Sequence, residues 1–369
     1  MGVTTVEKCD RSLAQTIFNN TRTVNIGGLD IEIKDVPDSD RPGMFDKREY
    51  LFRKAFFELQ KLAPPAAPDI AQIRSQTKTF CYDLCDGEVA QSSFVLDSHG
   101  RNVAVSVYSS ASDKTSKPAL IYIHGGSFFA GCAASYSCPC MFIAQEADCV
   151  VFNIDYSLAP ENPYPAAIED CRALVSHIYD NSEMYGVDKC SISLSGDSAG
   201  GNIALACALN CPENIKLKYL GLFYPCVDLY SRDGLYDWKE SDFEMDDEHR
   251  EVIVSRLSLG RSDGKGANSF MDLLTYCYTG TNDPDFIRRP DISMVYADVS
   301  RLPKCTIFTA EFDGLRPQAE YFSRLLNKAG IENRLVRFRG VSHAFLDYFG
   351  VLPQAEAAVL ELIAEIKSL

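Results

Sequence analysis

Four stretches of the chain carry residue types and spacings that could do chemistry. They are His124-Gly125-Gly126-Ser127-Phe128, Gly196-Asp197-Ser198-Ala199-Gly200-Gly201, Asp313 and His343, in that order. A hydroxyl attacks an acyl carbon at neutral pH only when a base takes its proton, a third group holds that base, and backbone donors meet the oxyanion that forms. Each role has a candidate here. Ser198 is the nucleophile, His343 the base and Asp313 the acid that orients it. The backbone N–H groups of Gly125, Gly126, Ser127 and Ala199 are the oxyanion donors. Phe128, Phe129 and Asp197, beside these groups, are the candidate substrate contacts.

Gly-x-Ser-x-Gly alone is weak, because with Gly and Ser each near 7% a chain of this length shows it by chance about once in eight. Context makes it specific. The motif follows the apolar run Cys190 to Leu194 and precedes the small-residue run Ala199 to Asn210, a strand, a sharp turn and a helix whose partial positive end faces the oxyanion. Among five histidines, His177 falls in a helical pattern, His249 in an acidic interval and His99 in a hairpin turn, which leaves His343 in the position the order requires. His124 reads as structural. Asp313 lies just past the run Cys305 to Thr309; Glu311 competes with it but belongs to the strand end.

These groups need a scaffold, and the chain supplies an alternation of short β-rich runs with helical patterns. The runs Ala119 to Ile123, Cys149 to Ile154, Cys190 to Leu194, Tyr219 to Phe223, Cys305 to Thr309 and Arg334 to Phe338 are mostly too apolar for half-solvated strands. The expected fold class is α/β, a mostly parallel central sheet with helices on both faces. Ser93 to Leu96 and Val103 to Tyr108 form a hairpin ahead of it. Ile168, Cys171, Leu174, Val175 and Ile178 recur at helical spacing, and Pro317 to Ala329 and Gln354 to Ile366 are further helices. Two segments break the alternation. Residues 1–86 hold one amphipathic helix, Lys47 to Lys61, and residues 228–290 form an acidic insertion with helical character over Asp246 to Leu259. The second reads as an ordered lid, and residues 87–227 and 291–369 as the catalytic core.

At 369 residues, 46% hydrophobic and 24% charged, the chain can bury a large core. Its net charge of −15 repels phosphate backbones and anionic membrane surfaces, so a small-molecule substrate is expected and nucleic acid is not. Met1-Gly2-Val3-Thr4-Thr5-Val6 has no cationic segment followed by an apolar one, and no run is apolar enough to insert in a membrane, which reads as cytoplasmic. The fourteen cysteines are scattered through core runs and read as buried thiols. Cys81-x-x-x-Cys85 and Cys138-x-Cys140 are the tight clusters, and neither has a partner pair at zinc spacing, so no metal is expected. A homodimer is left open.

The chain resembles the hormone-sensitive-lipase-like branch of the α/β-hydrolases, the bacterial type IV esterases. The likeness runs from about Pro118 onward. It is carried by Asp155-Tyr156-Ser157-Leu158-Ala159-Pro160-Glu161, Pro163-x-Pro165-Ala166-Ala167, Gly196 to Asn202, Glu311-Phe312-Asp313-Gly314-Leu315-Arg316 and His343-Ala344-Phe345. The resemblance implies hydrolysis of short- to medium-chain acyl esters without a cofactor, through an acyl-enzyme, and a cap built from the two misfit segments. It narrows the oxyanion donors to Gly126, Ser127 and Ala199. An amidase or formamidase would use the same groups. A non-catalytic relative such as the plant gibberellin receptors, which lack the triad histidine, is opposed by His343. Four departures stand out: Ser127 for a third glycine, Ser157 for an arginine, Gly314 and Pro317 beside the acid, and Ala344 for the glycine after the histidine.

Overall fold

The computed structural model describes residues 7–62, 69–76, 80–112, 114–230, 235–236, 239–258 and 270–369; the first six residues, Leu259 and parts of the acidic interval lie outside them. The strands are β1 (Arg22–Ile26), β2 (Leu29–Lys34), β3 (Val89–Ser98), β4 (Arg101–Ser110), β5 (Lys117–Ile123), β6 (Val150–Asp155), β7 (Val187–Asp197), β8 (Tyr219–Phe223), β9 (Lys304–Phe312) and β10 (Asn333–Ser342). They form one sheet in the order β1-β2-β10-β9-β8-β7-β5-β6-β4-β3. From β2 across to β6 every neighbouring pair is parallel, and the antiparallel pairs lie at the two edges. The expected α/β sheet is present.

The helices are α1 (Arg11–Asn19), α2 (Lys47–Leu62), α3 (Ile70–Gln76), α4 (Ser137–Ala147), α5 (Ala166–Asp180), α6 (Ala199–Leu209), α7 (Arg250–Leu257), α8 (Phe270–Thr279), α9 (Pro284–Ile287), α10 (Arg316–Lys328) and α11 (Pro353–Lys367). Alternation along β5 shows why the sheet needs cover on both faces. Ile121 and Ile123 join one core with Leu174 of α5, Ile203 of α6 and Phe322 of α10, whereas Leu120 and Tyr122 join the other with Phe142 of α4 and Val359 of α11. Successive strand side chains point to opposite faces, so a run apolar at every position stays dry only between two helical layers. The α5 stripe Ile168, Cys171, Leu174, Val175 and Ile178 is wholly buried.

The N-terminal segment departs from its expected assignment. Its β1–β2 hairpin, closed by Gly27 and Gly28 at positive φ, adds β2 in parallel to β10 and so belongs to the sheet. Leu29, Ile31 and Ile33 are buried there, an alternation too short to stand out in a polar stretch. Helix α1 is tied to α11 through Arg11 and Glu356 at 2.8 Å. What packs against α7 from this segment is α2: a separate cluster joins Phe45, just before α2, and Phe57 within it to Val252, Ile253 and Leu257 of α7 and to Phe312 at the end of β9.

Candidate active site

Ile123 of β5 pairs with Gly196 of β7, and Asp197 pairs with Phe223 of β8. The carboxyl ends of these strands therefore share one rim, where open α/β sheets bind ligands. At that rim β7 turns into α6 through Ser198, whose φ of 53° and ψ of −116° lie outside the regions ordinary residues populate. The flanking glycines make the turn possible by close approach. A Cβ on Gly196 would stand 2.5 Å from the Gly200 carbonyl oxygen, and one on Gly200 would stand 2.0 Å from that of Ile123. The elbow is held on both sides: Ser198 N–H donates to Phe223 C=O at 2.9 Å, and Ser198 C=O accepts from Cys226 N–H at 3.1 Å.

Ser198 Oγ lies 2.9 Å from His343 Nε2, and His343 Nδ1 lies 2.7 Å from Asp313 Oδ2. A carboxylate only accepts, so the proton on the ring sits at Nδ1 and leaves Nε2 free to receive one from the hydroxyl. Asp313 is 2% exposed, and its other oxygen accepts from Leu315 N–H at 2.8 Å, which locks the carboxylate at the entry to α10. Glu311 lies inside β9, where burial pushes its carboxyl upward and Gly340 N–H and Arg339 hold it, away from His343.

Backbone shape around the first glycine motif is equally specific. Gly126 has φ +126° and no room for a Cβ, which would stand 2.0 Å from Ala130 C=O; Ser127 and Phe128 follow at φ +58° and +65°. Serine thus occupies the left-handed conformation that suits glycine. Of the expected donors, Gly125 is removed from the set: its N–H already donates to Asp197 Oδ1 at 2.7 Å. Asp197 is corrected with it. This carboxylate is 1% exposed and also accepts from Tyr122 Oη at 3.1 Å and Tyr136 Oη at 2.9 Å, so it braces the loop and does not face substrate. Burial nonetheless raises its pKa. Phe129 is likewise fully buried and packs edge-on against Phe270, outside the cavity wall. Phe128 does line the cavity, stacked on Tyr278 at 3.9 Å.

The cavity over Ser198 has a volume of about 190 Å³. Ser127, Ala199, Asp313 and His343 meet Phe128, Phe270, Met271, Leu274 and Leu315 there, with Arg256 from α7 as the added cation. Several residues that shape this site carried no signal in the chain. Glu49 Oε1 on α2 accepts from Ser342 N–H and Oγ, and Arg53, four residues on, donates to Glu49 and to His343 C=O at 3.2 Å. An i, i+4 Glu–Arg pair on an amphipathic helix is ordinary, and only the fold brings it beneath His343. The Ser157 departure is also resolved: buried Asp170 accepts from Ser157 N–H at 2.9 Å, and Arg101 of β4 supplies the cation at 2.8 Å. Among the described residues no cluster of three or more metal-ligating side chains converges, and no helix is long and apolar enough to cross a membrane.

With that geometry in hand, comparison with known proteins gives a family. Residues 120–347 match the sequence profile of a family described as having the alpha/beta hydrolase fold. The chain belongs to that family, in its hormone-sensitive-lipase-like branch, and is a hydrolase. It is 29% identical to the esterase LipI of Mycobacterium tuberculosis over 67% of this chain and 71% of that one. It is 30% identical to an acetyl esterase of Salmonella enteritidis over 66% and 70%. A hyperthermophilic esterase from the archaeon Pyrobaculum calidifontis superposes with a TM-score of 0.69 at 27% identity, covering 88% of this chain and 98% of that one.

Proposed function

We propose that the protein hydrolyses carboxylic esters of short to medium acyl length, with Ser198, His343 and Asp313 as a catalytic triad. One observation carries this reading: the unbroken run of contacts from Ser198 Oγ to His343 at 2.9 Å and from His343 to Asp313 at 2.7 Å, opening into an apolar cavity. Ser198 Oγ attacks the acyl carbon while its proton passes to Nε2, and Asp313 stabilises the imidazolium through Nδ1–H. The oxyanion is met by the N–H groups of Ala199, Gly126 and Ser127, with the positive end of α6 behind the first. Collapse expels the alcohol, which takes the Nε2 proton. Water then repeats the sequence and frees the acid.

The esterase names of the relatives support the ester as substrate, and a cavity walled by Phe270, Met271 and Leu274 favours acyl groups of a few carbons. The test is direct. A fluorophosphonate should add covalently at Ser198, and Ser198→Ala should cut turnover of a para-nitrophenyl butyrate by about 10⁶, the scale on which triad residues fail. A variant with a tenth of the parent activity sinks the assignment. A matched anilide cleaved faster than the ester would move the protein to the amidases.

A further inference from the structure

Arg256 enters the catalytic cavity from α7 and shares it with Ser198, Asp313 and His343. Its Nε is sealed from solvent and donates to nothing, and among the described residues the guanidinium makes no hydrogen bond or ion pair. Charges taken out of water are ordinarily paired. Of the nearby acids, Asp313 is engaged by His343 and Leu315 and Glu49 Oε1 by Arg53 and Ser342; Glu49 Oε2 is sealed without a hydrogen-bond partner and acts on Arg256 through its charge alone. Burial and the neighbouring Arg53 cation push the group down to about 9, whereas Arg53, seated on Glu49, is shifted upward.

We propose that Arg256 is a specificity residue that receives a carboxylate of the substrate, so that the preferred esters carry a free acid group near the scissile carbonyl. The inference rests on the esterase reading above. A guanidinium is a planar fork whose paired N–H groups match the two oxygens of a carboxylate. The apolar wall of the cavity, Phe128, Phe270 and Leu274, offers no acceptor of its own, and a neutral ester would leave the guanidinium unpaired. Discrimination therefore acts from both sides, by pairing with the right substrate and by an unmet donor with the wrong one. Among the residues that line the cavity Arg256 is the one lysine or arginine, in a chain whose net charge of −15 works against an anion.

The experiment compares kcat/KM for neutral and acidic isosteres: para-nitrophenyl valerate against the para-nitrophenyl half-ester of succinate, and phenyl butyrate against butyryloxybenzoate. The first pair places the carboxylate on the acyl side and the second on the alcohol side. One acidic ester should exceed its neutral partner by about tenfold or more, through KM chiefly. Arg256→Gln should collapse that ratio and Arg256→Lys should restore part of it. Independently of any variant, succinate should inhibit the parent enzyme more strongly than butyrate. Acidic esters that are poorer than both neutral partners, or a ratio unmoved by Arg256→Gln, overturn the inference. Failure of all four esters, the neutral ones included, would instead overturn the esterase reading.

A different observation carries a second site. Cys81 Sγ and Cys138 Sγ lie 2.9 Å apart, both partly buried, and no other cysteine pair is in such contact among the described residues. The geometry points to a reversible dithiol–disulfide pair closed by a small peroxide. Cys81 thiolate attacks one peroxide oxygen, the O–O bond breaks, and a protonated hydroxide leaves as water. Cys138 then attacks the sulfenic sulfur, the S–S bond forms, and the second water leaves with the Cys138 proton. Hydrogen bonding to Cys138 draws Cys81 down to about 7, while the same contact and burial push the Cys138 thiol up, so Cys81 is the attacking thiolate and Cys138 the thiol that resolves it. The bridge would fasten the strap Phe80–Tyr82, whose N–H groups donate to Asp347 and Phe349 C=O, onto α4. Reduced native protein treated with stoichiometric hydrogen peroxide, alkylated and mapped by mass spectrometry should yield a Cys81–Cys138 peptide that dithiothreitol removes. Cys138→Ser should leave Cys81 as a sulfenate trapped by dimedone. Wild-type protein in which both thiols stay alkylatable, or in which other cysteines link first, excludes the pair.

Discussion

Asp197 accepts the Gly125 amide proton at 2.7 Å, so the residue just before the elbow serine fixes the start of the loop that carries Gly126 and Ser127. Strand β7 and the loop after β5 are thereby set at a defined distance, and Tyr122 and Tyr136 complete the carboxylate's shell. Replacing Asp197 with Asn keeps a similar volume and one acceptor oxygen but removes the charge those donors answer. Mispositioned oxyanion donors act on the transition state more than on the bound ester. Asp197→Asn should lower kcat by about tenfold to a hundredfold with KM little changed. Steady-state kinetics on a para-nitrophenyl ester checks this, and an unaltered kcat would show that the loop holds itself.

The two acids at the end of β9 should separate cleanly. Asp313 reaches His343 Nδ1, whereas Glu311 is engaged with Arg339 and Gly340. Asp313→Asn should reduce kcat by about 10⁴ through the wrong imidazole tautomer. Glu311→Gln should act mainly on melting temperature, since it weakens a buried pair without touching the imidazole. Equal kinetic losses in both variants would mean that His343 is held by something other than Asp313.

How far the chain could be read follows from the range of each interaction. The elbow was legible because strand, Gly-x-Ser-x-Gly and helix are contiguous, and the central strands because two-sided burial makes every position apolar. Gly125 and Asp197 were misread as ligand-facing because their mutual contact spans 72 residues. Residue type says that an aspartate can accept and a glycine amide can donate, but not which partner each finds. The β1–β2 hairpin escaped because an edge hairpin buries one face only, so half its residues look like loop. Glu49, Arg53 and Arg256 escaped because charges on amphipathic helices are solvent-facing by default, and only the closing of α2 and α7 over the rim turns them inward.

Two of the departures from the family pattern sit where the backbone favours glycine, Ser127 at φ +58° and Ala344 at φ +65°. The left-handed conformation costs an L-residue about 1 kcal/mol, offset in part by the looser unfolded chain of a glycine variant. Ala344→Gly should therefore stabilise by roughly 0.5–1 kcal/mol in denaturant titration. Ser127→Gly should stabilise comparably and change turnover only a few-fold, since its N–H survives. A hundredfold loss of turnover in Ser127→Gly would show that the hydroxyl itself is required.

Asp347 provides the pH test. Tyr136 Oη lies 2.9 Å from Asp197 Oδ2 and 2.9 Å from Asp347 Oδ1, yet a phenol has a single proton to give. Asp197 already answers Gly125 and Tyr122 as an anion, so the second contact is satisfied when Asp347 is protonated and donates to the phenol oxygen. Burial, reinforced by the nearby Asp197 charge and opposed by the Tyr136 contact and the Arg53 and His343 charges, raises Asp347 from 3.8 to about 7. Between those values the folded protein keeps a proton that the unfolded chain has lost, so this group's contribution to stability falls as pH rises through the window and is flat above about 7. Asp347→Asn imitates the protonated acid at every pH and removes that slope. Relative to the variant, wild-type protein should lose a few degrees of melting temperature between about pH 5 and about pH 8. Calorimetry of both proteins across that range gives parallel curves if Asp347 is ionised throughout, and converging curves toward acid if the phenol is shared as the geometry requires.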